Sequence, residues 1–140
     1  MSCSSKGDIP DGEILFRYCS VSAMPGEQKR MPRGVFEDKE LSCDWKKYRN
    51  DPTSSFHVAE EGKTDIICIK VCDAIRNPRN PRNKGKIEPA WRQEIFHDPI
   101  SACQDEKHGE NYAHSLIKGA KKGAVQKAIV DNSYFYPNSP

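Results

Sequence analysis

With 140 residues, 30% of them charged and 36% hydrophobic, the chain has material for one core and not for two. Its longest apolar runs, Ile14-Leu15-Phe16 and Ile66-Ile67-Cys68-Ile69, are far shorter than the roughly 20 residues that cross a bilayer, which excludes a transmembrane helix. A net charge of +2 and a pI of about 8.2 define no binding class, but residues 1–61 carry nine basic and eleven acidic side chains and residues 62–140 thirteen and nine, so any phosphate-bearing partner is expected at the C-terminal half.

Residues 1–12, rich in Ser, Gly, Asp and Pro, read as a flexible arm, and with no apolar segment after the first Met the expected location is the cytoplasm. A single domain is expected over residues 13–131. Residues 13–19 alternate, with Ile14, Phe16 and Tyr18 on one face and Leu15, Arg17 and Cys19 on the other, which predicts a half-buried strand. Prolines and glycines make residues 20–34 a long loop. Val35-Phe36 and Leu41-Ser42-Cys43 read as short edge strands, and Asp44 as the cap of a helix carrying Trp45, Tyr48 and Arg49 that stops before Pro52. Residues 64–72 have the strongest strand character and are expected centrally. Residues 76–86, with a short Asn-Pro-Arg duplication and no apolar side chain, predict an exposed loop. Strands over 91–97 and 112–118 are expected as neighbours. Val125, Ala128 and Ile129 recur at helical spacing and predict a helix over 120–131. Residues 132–140 form a tail whose Tyr134, Phe135 and Tyr136 either fold back or stay mobile. The pattern implies an α+β fold: a small, mainly antiparallel sheet of four to five strands packed against a C-terminal helix, its other face more polar.

Six cysteines, at 3, 19, 43, 68, 72 and 103, lie partly inside apolar runs and are read as reduced thiols. Cys68 and Cys72 are four apart on a strand, roughly 13 Å, too far to share a metal; Cys103-x4-His108 is a weak metal signal. No metal or other cofactor is expected.

Two features carry chemistry. His97 and His114 fall on neighbouring predicted strands, and a pair of imidazoles suits acid/base work near neutrality; Arg17, Lys118, Lys121 or Lys122 would hold an anionic oxygen. The competing reading makes both histidines structural. Ser115 follows His114 directly, which puts their side chains on opposite faces and disfavours a hydrolase triad. The second feature is the basic run Arg76, Arg79, Arg82, Lys84, Lys86 and Arg92, opposed only by Glu88. It would neutralise phosphates, with Trp91 as a stacking surface for a base, or else serve as a solvated connection.

The segment His97-Asp98-Pro99, then Asn111-Tyr112-Ala113-His114-Ser115-Leu116-Ile117-Lys118-Gly119 and a lysine-led helix, resembles a group of small bacterial proteins without an assigned function. The resemblance covers residues 95–130 and implies no activity; it directs attention to His97, His114 and Arg17. Two functions follow as expectations: a binding or accessory protein whose basic half contacts a nucleotide, nucleic acid or acidic protein, or a metal-independent enzyme acting on a phosphate-containing substrate through the two histidines.

Overall fold

The computed structural model describes residues 7–21, 26, 30–101 and 110–137. The main strands are β1 (Ile14–Cys19), β2 (Glu40–Trp45), β3 (Asp65–Lys70), β6 (Glu94–His97), β7 (His114–Lys118) and β8 (Ser133–Phe135), with a two-stranded hairpin of β4 (Arg79–Asn80) and β5 (Lys86–Ile87) between β3 and β6. The six main strands make one antiparallel sheet in the order β6-β7-β2-β1-β3-β8. Three helices accompany it: α1 (Phe56–Ala59), α2 (Asp73–Arg76) and α3 (Gly123–Asp131). This is an α+β fold, with six strands rather than the expected four or five.

Strand alternation sorts the side chains into two layers. One face carries Leu15, Leu41, Ile67, Ile69, Ile95 and Ile117, all fully buried beneath Val125 and Ile129 of α3, Ile75 of α2 and Phe36. The other face carries a smaller cluster of Phe16, Tyr18, Ile66 and Cys68, covered by Val58 of α1 and by Tyr134. That second face was expected to be polar, and it is apolar beneath α1. Its polar part is concentrated at Asp44, which is buried and accepts hydrogen bonds from Arg49 Nε (3.2 Å), Asn111 Nδ2 (2.9 Å) and the Tyr18 hydroxyl (3.3 Å).

Several local expectations change. Residues 7–12 are no loose arm: Ile9 is fully buried, its amide bonds to the Ile95 carbonyl (3.0 Å), and the His97 amide bonds to the Gly7 carbonyl (2.9 Å). One apolar side chain and an unpaired strand edge suffice to dock the segment. Arg76, read as a phosphate contact, fastens it through Asp11 Oδ1 (2.8 Å) and the Ile9 carbonyl. Val35 and Phe36 sit in a 3-10 turn, Gly34–Phe36, with Phe36 anchoring it in the core. β2 is an interior strand, not an edge, and Asp44 lies within it; only a 3-10 turn, Lys46–Tyr48, follows. Residues 133–135 fold back as β8 against β3. The loop expected over 76–86 contains the β4–β5 hairpin, closed by a 3-10 turn in which the Asn80 side chain caps the Arg82 amide (3.0 Å) and Lys84 (φ 54°) and Gly85 (φ 69°) turn the chain left-handed.

Candidate functional site

The turn Pro89–Trp91 follows the hairpin, and the hairpin turn, Trp91 and the start of α3 together line a cleft of about 620 Å³. Four cationic residues line it: Arg33 from the segment before β2, Arg82 from the hairpin turn, and Lys122 and Lys127 from the start and body of α3. Trp91, half-buried against the core, forms its aromatic wall, and no acidic side chain is among the described lining residues. Arg33 is set by Gly123, whose carbonyl accepts from Arg33 Nη2 at 3.0 Å. A Cβ at position 123 would lie 2.7 Å from that nitrogen and push the guanidinium tip aside, a shift the flexible arginine can make. No ion-pair partner of Arg82 or Lys122 occurs among the described residues, while Lys127 pairs with Asp131 at 2.7 Å. An adjoining groove of about 380 Å³ shares Pro81, Ala124 and Lys127 with the cleft and runs toward Asp73, Arg79 and Asp131, so positive charge is concentrated at the Trp91 end.

The remaining nominated cations are dispersed. Arg79 donates to the Gly85 carbonyl (3.1 Å) within the hairpin. Lys118 faces Glu40 at 3.6 Å, both side chains exposed. Lys121, proposed as an anion contact, instead donates to the backbone carbonyls of Ile117 (2.9 Å), Gly119 (3.0 Å) and Lys39 (3.2 Å), and burial pushes its ammonium down to about 8. Arg17 occupies a split in the sheet. β1 and β2 pair only at Leu15↔Trp45 and Phe16↔Asp44, and beyond that point the guanidinium bonds to the carbonyls of Val35 (3.3 Å) and Ser42 (3.0 Å) and to Asp38 (3.2 Å).

The two histidines are not brought together. His97 stands opposite Ser115 and His114 opposite Asp44, so their rings project from opposite faces of the sheet. His97 is buried, its Nε2 2.6 Å from the Tyr112 carbonyl, among the rings of Trp45, Tyr48 and Tyr112. A shared acid/base site is therefore not formed. His114 instead meets Arg17, Tyr18, Ser42, Cys43 and His57 around a depression of about 40 Å³. Ser42 and His57 had no sequence signal as site residues; the alternation of β2, had its full length been read, would have put Ser42 on the His114 face.

Cys19, Cys43, Cys68 and Cys72 are reduced thiols, in no disulfide. No group of three metal-ligating side chains occurs among the described residues, and Cys103 and His108 lie outside them. No described helix is long and apolar enough to cross a membrane. Comparison with family models, curated proteins and solved structures finds no match to this chain, so the chemistry of its sites rests on their own geometry.

Proposed function

We propose that the protein binds a phosphate-bearing nucleotide in the Trp91 cleft. The observation that carries this reading is the convergence of Arg33, Arg82, Lys122 and Lys127 with one indole on a single concavity with no acid among its described lining residues. Its volume of about 620 Å³ falls within the roughly 300–1,000 Å³ typical of small-ligand pockets. Guanidinium groups bind phosphate oxygens bidentately, ammonium groups add point charge, and an indole face accepts a base. The start of α3 adds to the positive potential, since amide dipoles leave partial positive charge at a helix N-terminus and the first turn holds no acidic side chain to cancel it. An acidic protein surface would satisfy the charges but leave the concave indole without a role.

Calorimetric titration with a purine nucleoside triphosphate tests the reading. The expected result is saturable binding that weakens as salt rises, with Arg82→Gln and Lys122→Gln each lowering affinity and flattening the salt dependence. The parent nucleoside, lacking phosphates, is expected to bind far more weakly. Equal affinity for nucleoside and triphosphate would refute the phosphate assignment, and short single-stranded oligonucleotides in the same titration report whether the ligand extends beyond one nucleotide.

A further inference from the structure

We propose that Ser42 and His114, positioned by Asp98, form a serine nucleophile site for small carboxylic esters on the face of the sheet opposite the Trp91 cleft. The two sites use different residues, and this proposal stands whether or not the cleft binds a nucleotide. His114 Nδ1 lies 2.7 Å from the Asp98 backbone carbonyl and 3.4 Å from its carboxylate oxygen Oδ2. A carbonyl oxygen only accepts, so the ring proton resides on Nδ1. Nε2 is thereby left with its lone pair, and it faces Ser42 Oγ at 3.3 Å. This is the order nucleophile, base, orienter that activates a serine. Such contacts are commonly somewhat long before substrate binds.

The surroundings fit the role. Ser42 is exposed, whereas Ser115, beside His114 in sequence, is fully buried and spends its hydroxyl on the Ala113 carbonyl (3.1 Å). The depression beside Ser42 is small, about 40 Å³. It accommodates a carbonyl with a very small acyl group and leaves the alcohol portion outside. The Arg17 guanidinium, 3.0 Å from the Ser42 carbonyl, and the His57 ring border the same space, where the guanidinium's positive charge favours a developing oxyanion.

In the reaction, Ser42 Oγ bonds to the ester carbonyl carbon as His114 Nε2 takes the hydroxyl proton. The carbon–oxygen bond to the leaving alcohol breaks, and the alkoxide takes that proton from His114. Water then attacks the acyl-serine, giving one proton to His114 and releasing the acid as Ser42 is reprotonated. The sum is ester plus water to acid plus alcohol, with no further reactant.

Reaction of the folded protein with a fluorophosphonate probe, followed by peptide mass spectrometry, tests the proposal. The modification is expected at Ser42, to vanish in Ser42→Ala, and to slow at least about a hundredfold in His114→Asn. That variant keeps an amide to donate to the Asp98 carbonyl but lacks the base, and its far-UV spectrum and melting temperature verify that it folds. With p-nitrophenyl acetate, Asp98→Asn is expected to lower kcat at unchanged KM, the mark of a group that orients His114 rather than one that merely shapes the surface. No adduct on the folded wild-type protein, or an adduct at Ser42 whose rate ignores His114, would overturn the assignment.

Discussion

Asp44 shows what a single residue can demand of its neighbours. At 1% exposure it is fully desolvated, and Arg49, Asn111 and Tyr18 supply its hydrogen bonds. Asp44→Ala strips the Tyr18 hydroxyl and the Asn111 amide of a buried acceptor, while Arg49 keeps contact with water and with Asn111, so it is expected to cost about 1–3 kcal/mol in urea unfolding. Asp44→Asn, which retains acceptor and shape, is expected to cost less. Proton linkage gives a second residue-level prediction. Burial pushes the Cys43 thiol up to about 12 and the Cys68 thiol up to about 11 from an ordinary 9.0, and Tyr18 is raised by burial and then by the Asp44 carboxylate. Above the ordinary thiol value the unfolded chain releases these protons while the native chain holds them, so stability falls as pH rises. Lys121, pushed down to about 8 from 10.5, acts oppositely: the native chain loses its proton first, which raises stability over that interval. Tyr134 is raised by burial as well, and one lowered group against four raised ones places the maximum of the urea midpoint near about pH 9, with a decline toward 11. A midpoint still climbing at pH 11 would contradict these assignments. Asp44 also shows why sequence reading fails at such a point. Next to Trp45 and ahead of Pro52 it looks like a helix cap, because nothing in its local sequence announces Arg49 and Asn111 as partners.

Elements were legible where hydrophobic pattern and length agreed. β3 is a run of β-branched side chains, β1 alternates cleanly, the pairing of β6 with β7 follows from their spacing, and α3 presents Val125 and Ile129 at helical intervals. Elements made by tertiary contact were not legible. β2 reads as a fragment because Ser42 and Asp44 interrupt its apolar residues, yet pairing with β7 along Glu40–Asp44 makes it an interior strand. Residues 7–12 look flexible by composition, and their docking rests on the open edge of β6, the burial of Ile9 and the contacts from Arg76. Ile9 is the one apolar side chain of that segment in the core, and Ile9→Ala is expected to destabilise the fold by about 2–5 kcal/mol. Loss of protection at the Ile9 and His97 amides, which bond to Ile95 and Gly7, would appear in hydrogen exchange before global unfolding. A melting temperature unchanged by Ile9→Ala would mean that the docked segment contributes nothing.

At the scale of the whole molecule, the sheet divides two chemistries. One side holds the basic cleft between the hairpin, the Pro89–Trp91 turn and α3; the other holds Ser42 and His114 beside the split that Arg17 fills. Sequence charge pointed to the C-terminal half, and Arg82 and Lys122 do line the cleft. Arg33 joins them from the acidic half through its bond to Gly123 across ninety positions of chain, a contact that no local pattern encodes. The molecule carries its own reference for testing the cleft, because its two tryptophans lie in different settings. The Trp45 indole is buried and donates to Glu13 Oε1 at 3.0 Å, whereas Trp91 lines the cleft. The most direct measurement follows the two indole N–H resonances while a purine nucleoside triphosphate is added. The Trp91 signal is expected to move saturably and the Trp45 signal to stay in place, with the movement lost when the nucleoside alone is used; an unmoved Trp91 signal, or a shift confined to Trp45, would contradict nucleotide binding at this cleft.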